Sequence, residues 1–216
     1  MDPLRFTIAA APLGVYLLLI AIINLQKRPF VTSGARDAAA LGIGVAGLIL
    51  VGPMELFFPE AASRILGYLV WVLLLVFYSL CVSLVVLLLR PRIVVYNSSL
   101  ERVKAMLGDI ALKIDPRSRW TGDCLLMPDA QVHLNLESWR LLRNVQLVAV
   151  GSSQDIDNWH GLEKRLRQEL KASQMTRNSV GYLFLVSAMM LGIVSAVWMI
   201  ARKQEVAQSV VDLLRL

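Results

Sequence analysis

Lysine and arginine are missing from four long stretches of this chain, and that gap decides its class. Thr7–Leu25, Leu66–Leu89 and Asn178–Ala201 carry no charge, and Ala38–Leu56 carries one, Glu55. At about 1.5 Å per residue, helices of these lengths cross a hydrocarbon core of about 30 Å. The near-absence of buried charge also argues against a proton relay or an ion-coupled transporter, which need ionisable groups at depth. Glu55 follows Pro53 at the end of its stretch, so an interfacial position is expected for it.

Cysteine is scarce. Cys81 lies in an apolar stretch and Cys124 in a polar one, so no disulfide framework is implied. No glycine-rich phosphate loop is present. Gly42, Gly44 and Gly47 fall inside an apolar stretch and read as helix packing, because a dinucleotide loop needs a strand–turn–helix setting. Histidine occurs twice, as His133 and His160, too few and too far apart for a metal cluster. No cofactor and no metal are expected. Asp115, Asp123 and Asp129 sit in turn-like segments, where aspartate is favoured for its bonds to nearby backbone. No catalytic constellation is visible.

What remains is 56% hydrophobic, above the about 45–50% of soluble domains, with a net charge of +6. In a membrane protein such an excess is the inner-leaflet bias of Lys and Arg rather than a nucleic-acid footprint. The first apolar run ends in Asn24-Leu25-Gln26-Lys27-Arg28, not in a small-residue cleavage site, so it is expected to be a span and not a leader. Four transmembrane helices are therefore expected. The loop Gln26–Asp37 holds Lys27, Arg28 and Arg36, whereas Phe57–Arg64 holds one basic residue. Arg90 and Arg92 follow the third span and Arg177 precedes the fourth. These counts place the first loop and residues 90–177 on the cytoplasmic face, and both termini outside. A bacterial inner membrane is the expected location.

Four segments follow: a three-helix region over 1–89, a water-soluble insert over 90–177, the fourth helix over 178–201, and an amphipathic tail over 202–216. The insert reads as a small α+β domain of order β-α-β-β-β-α. Arg92–Tyr96 is a short β-rich run. Ser98-Ser99-Leu100-Glu101 has the spacing of a capping box. Leu100, Val103, Leu107, Ile110, Ala111 and Ile114 then share one helix face, and Asp115-Pro116 ends that helix. Cys124–Met127 is a strand and Pro128-Asp129-Ala130 a turn. Gln131–Glu137 alternates apolar and polar residues, and Asn144–Val150 is a further strand. Asp157 is expected to cap a last helix whose stripe is Trp159, Leu162, Leu166 and Leu170. One sheet with both helices on one face would bury both stripes.

Two features bear on function. Small residues recur every fourth position, notably Ala38, Gly42 and Ala46, and Ala188, Gly192 and Ala196. Such rows let helix backbones approach closely, whether within the chain, in a homo-oligomer or against another membrane subunit. Between two strands, Trp139, Arg140 and Arg143 flank two leucines and are candidate membrane-surface contacts, suited to anionic head groups. Residues 90–177 hold 14 Lys and Arg against 10 Asp and Glu, a diffuse +4 that gives no nucleic-acid stripe.

Leu112–Trp120 with Asp123, His133–Glu137 and Arg143-Asn144-Val145 together resemble a segment of uncharacterised bacterial integral membrane proteins. The resemblance covers the insert alone and implies no activity, substrate or site residue. The leading expectation is a non-enzymatic membrane subunit or assembly factor, docking through its helices and its inner-face domain. The alternative is a membrane-surface enzyme acting on a lipid or lipid-linked substrate, with Trp139, Arg140, Arg143 and an acid such as Asp123 around a concave site.

Overall fold

The computed structural model describes residues 2–52, 69–139, 143–151, 155–172 and 178–215. Among them are seven helices and a six-stranded sheet. Four helices are long and apolar enough to cross a membrane: α1 (Pro3–Leu25), α2 (Gly34–Val51), α3 (Leu69–Leu88) and α6 (Val180–Ala201). Most of their apolar side chains are exposed, Leu87 to 80% and Ile43 to 70%, while Ala10, Val70 and Leu74 are buried. In water each such exposed leucine or isoleucine forgoes about 1.5–3 kcal/mol of burial. Glu55, the loop Phe57–Arg64, Arg140 and Arg177 lie outside the described residues.

The chain divides into two compact units. One comprises Met1–Ile20, Ala38–Leu88 and Leu183–Leu216, the other Ala21–Asp37 and Leu89–Tyr182. The helical unit ends in α7 (Lys203–Arg215).

The second unit is built on the sheet. Its strands are β1 (Phe30–Ser33), β2 (Arg92–Tyr96), β3 (Arg119–Thr121), β4 (Cys124–Met127), β5 (Val132–Trp139) and β6 (Asn144–Ala149). The order across the sheet is β1-β2-β6-β5-β4-β3, antiparallel throughout. Two strands were not in the expected order. β3 is three residues long, too short to show alternation. β1 arises from Gln26–Asp37, which the sequence presents as a plain loop, and it pairs Phe30 with Tyr96 and Ser33 with Ile93. For the same reason α2 starts at Gly34, four residues before the expected Ala38. A Cβ at position 34 would fall 1.9 Å from Arg92 Cγ, so a side chain there would require the Arg92 side chain to move.

One face of the sheet carries α4 (Leu100–Ile114) and α5 (Ile156–Ala172). Val103, Leu107, Ile110 and Ala111 of α4 and Trp159, Leu162, Leu166 and Leu170 of α5 share one core with Ile93, Leu134 and Leu147 of the strands. Both expected stripes are thus buried on one sheet face. The caps differ from expectation. Ser99, not Ser98, is the N-cap of α4, and its side chain makes no capping bond, so the capping box does not form. Glu101 consequently stands one residue too early in the helix to reach back. At α5 the cap is Asp155 rather than Asp157: its Oδ1 accepts the amides of Asp157 and Asn158 at 2.9 and 3.2 Å.

Asp115 closes α4 as expected and holds the next turn as well. Its carboxylate accepts the amides of Arg117 and Asp129, each at 2.8 Å. Arg117 in turn clasps Asp129 through two guanidinium bonds, one of them Nε to Oδ2 at 2.8 Å. Burial works to raise the Asp115 pKa, but amide donors from Arg117, Asp129 and Ala130 outweigh it and hold the carboxyl below its ordinary range. A pKa lower in the folded than in the unfolded chain adds stability above the ordinary carboxylate range, and that stability disappears as pH falls through the folded value. Tryptophan-monitored denaturation of the full chain in detergent should therefore show the sheet unit weakening in acid. Asp115→Asn should lose stability at neutral pH and part of that acid dependence. An unchanged acid limb in Asp115→Asn would contradict this.

Candidate functional site

Two places in the molecule combine concavity with the residue types singled out in the sequence. The first lies in the helical unit. Along α2 the small residues meet neighbours closely. A Cβ on Gly42 would stand 2.8 Å from Val82 of α3, and one on Gly44 2.8 Å from Tyr16 of α1. One on Gly47 would stand 2.4 Å from the backbone oxygen of Ile8. The Tyr78 hydroxyl donates to the Gly42 carbonyl at 2.6 Å. The row Ala38, Gly42 and Ala46 is thus on a helix held against its own neighbours, with Gly42 as the contact point.

The row on α6 behaves differently. Ala188, Gly192 and Ala196 line a groove of about 480 Å³ together with Ala10 and Gly14 of α1. A Cβ on Gly192 or Gly14 would meet nothing within 4 Å. The groove is almost wholly apolar, with the Ser195 and Thr7 hydroxyls among its lining. Near one end Phe6 packs on Trp198, ring centroids 5.2 Å apart. In the sheet unit the two helices meet again. Asn178 Nδ2 donates to Asn24 Oδ1 at 3.1 Å, and the Asn178 amide donates to the Asn24 carbonyl at 3.1 Å. Both asparagines are buried, and Gly181 lets the chains approach there. Nothing in the local sequence ties two asparagines 154 positions apart, so this clasp was not expected. Its only signal is an amide side chain at the edge of each apolar run.

The second place lies in the sheet unit, where β5 and β6 meet the start of α4. Trp139 and Arg143 line one small cleft there with Ser98, Glu101 and Asn144. Of the residues singled out in the sequence, Trp139 and Arg143 share this cleft, while Arg140 is outside the described residues. Asp123 is not part of it. Its carboxylate bonds Lys104 Nζ at 2.9 Å, and that ammonium sits 5.1 Å over the Trp120 ring. Trp139 is 62% exposed, so it does not fold under into the core. Arg143 has a left-handed backbone, φ 48°, and its carbonyl accepts the Ser98 amide at 3.0 Å. That bond fixes the hairpin against the start of α4.

Cys81 is exposed on α3, and Cys124 is half-buried with its thiol 3.4 Å from Asn135 Oδ1. Both are free thiols. Among the described residues no group of three or more His, Cys, Asp or Glu is placed to hold a metal ion.

The contrast between the two rows is testable by stability. Gly47→Ala forces backbone apart and should cost about 1–3 kcal/mol. Gly14→Ala should be neutral or slightly stabilising, since helical alanine is favoured and space is free. Thermal melts of the purified chain in one detergent would separate them; equal losses would contradict the packing described here.

Comparison of the chain with protein-family models, with curated proteins and with solved structures finds no match, in keeping with a resemblance confined to uncharacterised membrane proteins.

Proposed function

We propose that this chain is a non-enzymatic integral membrane subunit or assembly factor. In this reading α1, α2, α3 and α6 cross a bacterial inner membrane, the sheet unit faces the cytoplasm, and both termini lie outside. The Lys and Arg of the first loop and of residues 90–92 support that orientation. The α7 helix, with Val206 and Val210 on one face, then lies in the outer interface.

The observation that carries the reading is the groove between α1 and α6. Helices in lipid associate by close van der Waals contact, because lipid tails are as apolar as leucine side chains. Small residues that already touch a neighbour are spent on the fold. Those lining an open groove are free for a further helix, and Gly14 and Gly192 are of that kind. The partner is then a transmembrane helix from another subunit or from a second copy of this chain.

The alternative, a membrane-surface enzyme acting on a lipid-linked substrate, draws on the cleft at Trp139 and Arg143. That cleft offers binding groups, and among the described residues the Ser98 hydroxyl has no hydrogen bond to Glu101, the acid of the lining, so the cleft supports recognition better than turnover.

Mild-detergent extraction from the native membrane, followed by native mass spectrometry, tests the proposal. The chain should run with a partner or as an oligomer. Gly192→Leu, which fills the groove, should release it as a monomer while its melting temperature stays within a few degrees of the parent. A parent chain that is monomeric and alone under conditions preserving other membrane complexes would overturn the reading.

A further inference from the structure

We propose that the cleft at the start of α4 binds a phosphate group. The cleft has a volume of about 160 Å³. That is about five times the roughly 30 Å³ share of one liquid water, room for a phosphate and its first ester carbons.

Among the described residues, two side chains of its lining hold a buried polar atom without a partner. Ser98 is 1% exposed, and its Oγ makes no hydrogen bond. Asn144 is 7% exposed, and its Oδ1 makes none either. A buried polar atom left unpaired costs free energy, so two around one opening call for a polar occupant. The donors around them select its sign. The first amides of α4 have no acceptor within the helix, and Ser99 supplies none through its side chain. Aligned amides at a helix start favour an anion. The Ser98 hydroxyl can donate, Arg143 brings a guanidinium, and the Asn144 amide turned over presents its Nδ2–H. Arginine and helix-start amides together suit the oxygens of a phosphate. Glu101, exposed on the lip, is the one acid of this lining and opposes the anion.

The cleft also has a place. Asn97 Nδ2 donates to the Gln26 carbonyl at 2.7 Å, which sets the adjoining Ser98 beside the end of α1. If α1 spans a bilayer, this is head-group depth, and the exposed Trp139 indole is the side chain expected there. The occupant is then the phosphodiester of an anionic lipid. A soluble phosphate ester would offer the same oxygens, so the site stands independently of the subunit proposal.

The test uses the full chain in a non-ionic detergent, with tryptophan emission as the readout and Trp139→Phe to assign the signal. Phosphatidylglycerol in mixed micelles, or inorganic phosphate, should shift the emission, and diacylglycerol should not. Response to lipid alone identifies a lipid head group; displacement of the lipid by inorganic phosphate identifies a site open to free esters. Ser98→Ala should weaken binding about tenfold without lowering the melting temperature, because its hydroxyl has no protein partner to lose. Arg143→Gln should weaken binding, and Glu101→Gln should tighten it. No shift with either phosphate source, equal response to diacylglycerol, or unchanged affinity in Ser98→Ala and Arg143→Gln would overturn the proposal.

Discussion

The pairing of β1 with β2 is the contact on which the sheet unit depends. Four residues between the first two apolar helices become the edge strand of a sheet whose other strands begin only at Arg92. Closing so long a loop is entropically costly, and a short edge strand alone would not hold it. Side-chain contacts reinforce it. Val31 enters the common core, Tyr96 donates its hydroxyl to Asp37, and Asn97 bonds the Gln26 carbonyl. The pairing also moves the sheet edge from β2 to the four-residue β1, and a short edge strand invites less association than a longer one.

That stitch carries a topological consequence. The segment after α1 and the strand after α3 belong to one sheet, so if the long helices cross a bilayer both segments lie on the same side of it. Arginines on both segments agree with this, since they mark the same side of a bilayer. The helices and the sheet differ in what they expose. The helices show apolar side chains outward and use glycine for contact, whereas the sheet hides its leucines under α4 and α5. The groove on α1 and α6 and the polar cleft at α4 are where each unit leaves its own chemistry unsatisfied.

Much of this was legible in the sequence. Four runs free of lysine and arginine announce the long helices, because charge at depth is costly whatever the fold. The stripes of α4 and α5 and the alternation in β5 were readable because burial on one face imposes a period. β1 was not readable: Phe30–Ser33 has neither length nor alternation, and its strand state comes from a partner over sixty residues away. The caps were misread by one or two positions. Ser98 and Ser99 are chemically alike, and Asp155 and Asp157 are both good caps, so tertiary packing makes the choice. The cleft was half legible, since Trp139 and Arg143 stood out while Ser98 and Asn144 look ordinary until burial isolates them. Asp123 was drawn away by Lys104, a contact between elements that no spacing foretells.

The register of β1 on β2 can be measured directly. In a chain whose native cysteines are replaced by serine, Thr32→Cys combined with Val94→Cys places two thiols on directly opposed residues. Mild oxidation should join them in high yield, while Phe30→Cys combined with Val94→Cys, two positions out of register, should not join. Failure of the opposed pair to form a disulfide, or equal yields from both pairs, would contradict the account.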